Sequence, residues 1–437
     1  MGNGVREARI WRQVLGVEKT VIEGVDFDDT AGAVIVAVRP QARARSRCGV
    51  CGRRSPGYDG GTGRRRWRGP DCGLVRTFVE ADAPRVCCRE HGVTVAAVPW
   101  ARHRAGHTYA FDQTVAWLAT HTSKAATCEL MRTAWRTVGT IVDRVWADTT
   151  PARDPLAGLR RIGIDEISYK KGHKYLTVVV DHDSGRLVWA APGRDAATLS
   201  GFFDLLGPER CAKITHVTSD AAGWIGSVVT RFCPDAVRCA DPFHVVAWAT
   251  EALDTVRRAA WNRARSTENA SRGGGWKPRR RPKAGPARSV KRSRWALLKN
   301  PDALTAQQQA VLRWIELHDP VLHRGYRLKE SLRLIFQLPV EQAAAELDRW
   351  IDWARRCRIP AFVALQKSIL VHRPAILAAI EHGLSNGRIE SVNTKIRLIT
   401  RRGFGFHTPE AVIALAMLSL GGARPQLPGR IHPRMSQ

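Results

Sequence analysis

The chain has 437 residues, more than one ordinary core accommodates, so two to four domains are expected. Lys plus Arg number 69 against 40 Asp plus Glu, a net charge of +29 that suits a polyanionic partner; nucleic acid is the commonest, and a bias of the proteome toward Arg is the bland alternative. No basic amphipathic anchor, apolar leader or bilayer-length apolar run is evident, and Arg6 stands where an N-myristoylation motif wants Ser or Thr, so a cytosolic protein without membrane contact is expected.

In chain order, residues 13–40 read as strands: Val17, Val21, Val25 and the run Ala33–Val38 flank the turn-like Asp28-Asp29-Thr30-Ala31-Gly32. Residues 41–92 are rich in Arg, Gly and Cys with little periodicity, as in a small metal-stapled module. Ten cysteines without a secretion signal argue against a disulfide framework. Cys48-x-x-Cys51 and Cys88-x-x-His91 offer four ligands of the softness that tetrahedral structural Zn2+ prefers. Cys87 competes with Cys88, which is chosen because the x-x spacing then matches on both halves. Reduced thiols in a small core are the alternative.

Residues 108–147 have helical spacing, with Ser123 as a cap and Trp135, Val138, Ile141, Val142 and Val145 marking a third helix. Its opposite face carries Arg136, Thr137, Thr140 and Arg144. Such a triplet resembles a helix-turn-helix whose last helix enters a major groove, although any three-helix bundle looks similar.

Residues 160–240 are αβ-like. Strands are expected at Arg161–Ser168, Tyr175–Val180, Arg186–Ala191, Ile214–Thr218 and Ala236–Ala240, with helices near 196–206 and 222–232. Asp181, His182 and Asp183 read as turn residues. Residues 243–383 read as helical. Within them, 255–300 holds fifteen Lys/Arg against one acid, including Lys277, Arg279, Arg280 and Arg281, and is expected to be disordered without a partner. Trp314, Trp350 and Trp353 sit at helical spacings and read as core. Residues 384–422 hold one more helix and an apolar end, and 423–437 a loose tail.

Three acids stand out. Asp165 lies in a half-buried strand, its neighbour Glu166 pointing to the other face. Asp220 ends a second strand, where αβ sheets place their sites. Glu390 shares a helix face with Asn393, Thr394, Arg397 and Arg401, opposite Ile389, Val392, Ile396 and Ile399. Each acid taken alone reads better as an ordinary surface or capping residue. Together, three carboxylates suit two Mg2+ or Mn2+ ions about 3.5–4 Å apart, able to activate a water or 3′-hydroxyl and stabilise the leaving oxygen of a phosphodiester. Asp241 and His244 form a possible additional site, with a helix-start histidine the preferred reading.

The blocks Gly163-Ile164-Asp165-Glu166 with Lys170-Lys171-Gly172-His173-Lys174-Tyr175, Ser219-Asp220, Asp241-Pro242-Phe243-His244-Val245 and Asn386-Gly387-Arg388-Ile389-Glu390-Ser391-Val392-Asn393, with Arg401-Arg402-Gly403-Phe404-Gly405-Phe406, resemble those of bacterial insertion-sequence transposases of the ISL-three group. The similarity covers roughly residues 10–422; Ser391 departs where the family often has Gly. The resemblance implies a ribonuclease-H-like DDE core at 158–243 and 384–422 and a large all-α insertion at 244–383 with a basic linker at 255–300. It implies a β and zinc-ribbon module at 1–100 and a helix-turn-helix module at 101–150 ahead of them. It further implies Asp165, Asp220 and Glu390 as catalytic metal ligands, and Zn2+ on Cys48, Cys51, Cys88 and His91. DNA contacts would come from Arg136, Thr140, Arg144, Lys277, Arg279, Arg280, Arg281, Arg397 and Arg401. The expected partners are terminal inverted repeats, target DNA and further copies of the chain in a dimer or higher multimer, at the bacterial nucleoid. A catalytically retired DNA-binding protein and a nuclease lacking strand transfer are the alternatives.

Overall fold

The computed structural model describes residues 2–152, 154–220, 222–270 and 285–430. The chain opens with a helix, Gly2–Leu15, where strands were expected from residue 13. Trp11 and Leu15, four residues apart, pack onto the sheet behind it, which is a helical spacing.

Strands β1 (Thr20–Asp28) and β2 (Ala33–Pro40) form the expected hairpin. The next stretch contributes strands to two sheets. A short β3 (Gly57–Asp59) is followed by β4 (Arg64–Cys72) and β5 (Val75–Asp82), and this hairpin joins the first in a sheet of order β1-β2-β5-β4, with β2 and β5 parallel. β6 (Arg85–Cys88) and β7 (Gly92–Val95) pair with β3 in a separate small sheet. The β4–β5 excursion accounts for the long gap between Cys-x-x-Cys and Cys-x-x-His.

Three helices follow, Tyr109–His121, Lys124–Leu130 and Trp135–Ala152. The hydroxyls of Thr108 and Ser123 cap the first two, accepting from Phe111 N–H and Ala126 N–H.

The central sheet has order β10-β9-β8-β11-β12, from β8 (Arg161–Lys170), β9 (Lys174–Asp181), β10 (Leu187–Pro192), β11 (His216–Ser219) and β12 (Val237–Ala240). β8, β9 and β10 are antiparallel neighbours, whereas β11 runs parallel to both β8 and β12. Alternation along β8 and β9 splits their side chains between two cores. Ile162, Ile164 and Val179 meet Leu199, Phe202 and Phe203 of helix Ala196–Leu206 and Ile225 of helix Gly223–Phe232. Ile167, Val178 and Val180 meet Ile389, Val392 and Ile396 of helix Gly387–Arg402 and Val412 of helix Pro409–Leu420. Each such buried aliphatic contributes roughly 1.5–3 kcal/mol to seating its helix.

Between β12 and helix 387–402 lies the helical region: Pro242–Ala270, Pro286–Arg292, Arg294–Leu298, Ala306–His318, Pro320–Ile335, Val340–Arg356 and Pro360–His382. The expectation of disorder over 255–300 is corrected at both ends. Residues 255–270 continue the long helix, with Val256 and Ala260 buried in the core and Arg257 paired to Asp254, and 286–298 is again helical. Lys277, Arg279, Arg280 and Arg281 lie outside the described residues. Trp350 is buried, its indole N–H donating to Leu328 C=O, and Trp314 and Trp353 pack against the same core. Helix 360–382 is long and apolar enough to cross a membrane by length and composition, which the sequence reading did not anticipate. Its Phe362, Leu365, Ile369 and Ile376 are spent on the core.

Candidate active site and zinc module

Gly163, Asp165 and Ile167 share the face of β8 that meets helix 387–402; Glu166 takes the other face and pairs with Arg194. In the β8–β11 register Ser219 stands beside Ile164, so Asp220, the next residue, leaves the sheet next to Asp165. Asp165 is half-buried. One carboxylate oxygen accepts the Glu166 N–H at 2.7 Å and the other accepts from the Asn393 amide at 2.7 Å. Burial, together with the charge of Asp220, pushes its pKa upward. The amide oxygen of Asn393 is buried without a hydrogen-bond partner, leaving a further acceptor beside the acids.

Glu390 lies one turn before Asn393 on the same helix and is exposed. Among the described residues the three acids do not gather as tightly as the zinc-type cluster below, and Glu390 stands at the rim. The expected polar face is otherwise as drawn: Thr394, Arg397 and Arg401 are exposed and Ile389, Val392, Ile396 and Ile399 buried. Asn393 is the exception. It is buried because its amide is drawn onto Asp165.

Several residues hold this helix in place. An added Cβ on Gly163 would sit 2.7 Å from Ile389 Cγ1, closer still to Ile389 Cδ1, and 2.9 Å from the His182 ring. The missing side chain is what lets the helix lie on the strand. Arg388 donates to the carbonyls of His182 and Asp183. His182 does more than turn the chain: its imidazole is buried and bonds Thr218 Oγ1 at 2.7 Å, and burial drives its pKa down to about 4. Asp181 carries the turn, accepting from Asp183 and Ser184 N–H. Asp241 is buried and accepts from Asn386 N–H through one oxygen at 3.1 Å. Its other oxygen meets His244 Nδ1 at 2.7 Å, which raises the histidine's pKa. His244 is thus a satisfied helix-start histidine that also borders the acids.

Sequence reasoning placed Asn393 on the right helix and missed its partner. The signal for Gly163 was available, a glycine inside a buried strand. Nothing local marked His182, flanked as it is by turn-forming acids.

In the N-terminal region Cys48, Cys51, Cys88 and His91 bring their ligand atoms within 4.8 Å of one another. Cys51 Sγ to Cys88 Sγ is 3.8 Å, and His91 Nδ1 lies 3.7 Å from Cys88 Sγ and 3.9 Å from Cys48 Sγ. These are the edges of a tetrahedron with metal–sulfur bonds of about 2.3 Å. His91 pulls the Cys88 thiol down to about 6, toward the thiolate a metal needs. Cys87, on the opposite face of β6, is exposed and outside the cluster.

On the third helix of the triplet Arg136 and Thr140 are exposed. Arg144, expected beside them, is corrected: its guanidinium turns inward to the Asp112 carboxylate at 2.9 Å. Asp112 is wholly buried and holds Arg102 as well at 3.0 Å, and burial raises its pKa. A buried carboxylate recruits the cations within reach. The triplet also packs on helices 387–402 and 409–420. Ala414 and Leu418 join its core, and Arg402 donates to the carbonyls of Thr120 and His121.

Comparison with known proteins agrees with this layout. A transposase family model of the ISL3 group matches residues 162–416, a helix-turn-helix model of ISL3 transposases residues 96–146, and a transposase zinc-finger model residues 44–91. A transposase for insertion sequence element IS1557 of Mycobacterium tuberculosis is 61% identical over 444 aligned residues, covering 99% of this chain and 100% of the relative. A transposase for element IS1001 of Bordetella parapertussis is 27% identical over 394, covering 89% of this chain and 92% of the relative. The chain belongs to the ISL3 family of insertion-sequence transposases.

Proposed function

We propose that this chain binds the terminal inverted repeats of its element and catalyses metal-dependent DNA strand cleavage and strand transfer, with Asp165, Asp220 and Glu390 as the metal-holding acids. The observation that carries the reading is the Asn393–Asp165 hydrogen bond. It joins the helix of Glu390 to the strand of Asp165, beside the strand end of Asp220. The strand order and polarity support a ribonuclease-H-like core over 158–243 and 384–422, with 244–383 as its helical insertion.

Bound Mg2+ or Mn2+ would supply a Lewis acid at the phosphodiester and lower the pKa of the attacking water or 3′-hydroxyl. The chain does the rest. Asp165 is held by two donors, so its carboxylate enters the reaction in a fixed orientation. Glu390, exposed on the helix that carries Asn393, would complete the metal-holding set. Arg397 and Arg401 hold phosphates along the same helix. Arg136 and Thr140 face the DNA from the helix-turn-helix at 101–150. Structural Zn2+ on Cys48, Cys51, Cys88 and His91 fixes the 1–100 module. A dimer or higher multimer brings two ends together.

The test is cleavage of labelled DNA carrying the element's own ends, with Mg2+ and with EDTA. Nicking that requires the metal and disappears in Asp165→Ala, Asp220→Ala and Glu390→Ala is expected. Cutting that survives Asp165→Ala and Glu390→Ala would sink the assignment. Binding without any cutting would identify a retired, DNA-binding descendant.

A further inference from the structure

We infer that Phe404 is an aromatic wedge that inserts between base pairs of the bound DNA, an inference that rests on the transposase reading above. Phe404 is 83% exposed and held at φ +51°, a left-handed conformation that a bulky side chain rarely adopts. The loop that holds it is closed: Gly403, Phe404 and Gly405 N–H donate to the carbonyls of Ile399, Arg401 and Thr400 at 3.0–3.1 Å. Two residues on, Phe406 turns the other way and packs with the core of helix 387–402, so tightly that a Cβ on Gly403 would lie 2.9 Å from its ring. One phenylalanine anchors the loop, and the other, at the left-handed turn that ends the helix, is held out in water.

The surroundings name the occupant. Arg397 and Arg401 are exposed on the helix leading to the loop, and among the described residues neither has an ion-pair partner. His407 lines a cleft of about 510 Å³ together with Tyr169, Lys170, His173, Lys174 and Arg194, from the β8–β9 hairpin and the strand end beyond it. A polyanion fits a hydrophobic tip ringed by cations. A second copy of this chain carries the same +29 and would bring like charge to the patch. Phe is among the side chains that wedge base steps apart and kink a duplex. Phe404 lies fourteen residues beyond Glu390 on one helix and its cap, about 20 Å at ~1.5 Å per residue. With helix 387–402 laid along the duplex axis, the distorted step falls about six base pairs from the cut, at ~3.4 Å per base pair.

The experiment uses the full-length chain and duplexes bearing the DNA that flanks its own reading frame, with 2-aminopurine replacing one adenine at a time and no added Mg2+. Fluorescence is expected to rise several-fold at one step near the stated distance, in the wild type and in Asp165→Ala. The rise is lost in Phe404→Gly, which suits the positive φ without strain, and is retained in Phe404→Leu. Affinity in Phe404→Gly falls on the order of tenfold, the usual scale for one lost base–aromatic stack. An undiminished rise in Phe404→Gly overturns the wedge. So does a Phe404→Gly chain that sediments as a smaller species while distorting DNA normally, which would make the loop a protein interface. If the wild type binds these ends, and cuts them once Mg2+ is added, with no fluorescent step, the wedge alone fails. If it neither binds them nor cuts them with Mg2+ added, the transposase reading fails and takes the wedge with it.

Discussion

Replacing Gly163 by Ala adds one methyl group where β8 and helix 387–402 touch. The new carbon would lie 2.7 Å from Ile389 Cγ1 and 2.9 Å from the His182 ring, against an ordinary contact of 3.4–4 Å. Something must retreat by most of an ångström. His182 is held by Thr218 and its carbonyl by Arg388, so the helix yields first. Overpacking of this kind costs about 1–3 kcal/mol. Because Glu390 follows Ile389 directly, the catalytic loss should exceed the stability loss: a misplacement near 1 Å costs on the order of 100-fold in rate. Urea unfolding and end-cleavage kinetics would be measured on Gly163→Ala, Ile389→Ala and the double variant. Ile389→Ala removes both crowding carbons, so the double variant should recover part of the Gly163→Ala loss, a non-additive cycle. Wild-type cleavage in Gly163→Ala, or strict additivity, would refute the packing argument.

Three further outcomes are expected. Cys88→Ser and His91→Ala should abolish a stoichiometric zinc measurable by mass spectrometry and unfold the small β3-β6-β7 sheet, whereas Cys87→Ser should keep both. His182 is buried neutral with a pKa near 4 against its ordinary 6.5, so below pH ~6.5 the unfolded chain takes up a proton that the folded chain refuses until about pH 4. Stability should fall with falling pH across that window by at most about 3 kcal/mol and then level, and His182→Gln should flatten the dependence in urea titrations at several pH values. Arg136→Ala should shallow the salt dependence of DNA binding by about one counterion without changing stability; Arg144→Ala, by stranding part of the Asp112 charge, should lower stability by about 3 kcal/mol instead.

What was readable in the sequence followed from local physics. The alternation of Ile162 and Ile164 with Gly163 and Asp165 marked β8, and the two-residue spacing of Cys48-Cys51 and Cys88-His91 marked the metal ligands. Ser123 announced its helix by its own hydroxyl. What was unreadable depended on partners distant in the chain. Arg144 looked outward-facing by helical spacing, but Asp112, 32 residues earlier, claims it. The place of the β4–β5 hairpin beside β2 is a long-range pairing with no local signature. The charge of 255–270 suggested disorder, while the few apolar residues on one face of that helix found a core to enter. Asn393 and Asp165, 228 residues apart, met only through the fold.

Arg402 donates to the last carbonyls of the first helix-turn-helix element, and Ala414 and Leu418 lie in that element's core. The helix-turn-helix region and the transposase domain thus share a packed core and hydrogen bonds among the described residues. Such a molecule behaves as a caliper. The interval between recognised bases and severed bond becomes a property of the protein, and five extra base pairs between them would swing the cut site to the far side of the duplex, about half a helical turn away. For an element cut in this way, a change in that spacing would be as damaging as a change in the recognised bases themselves.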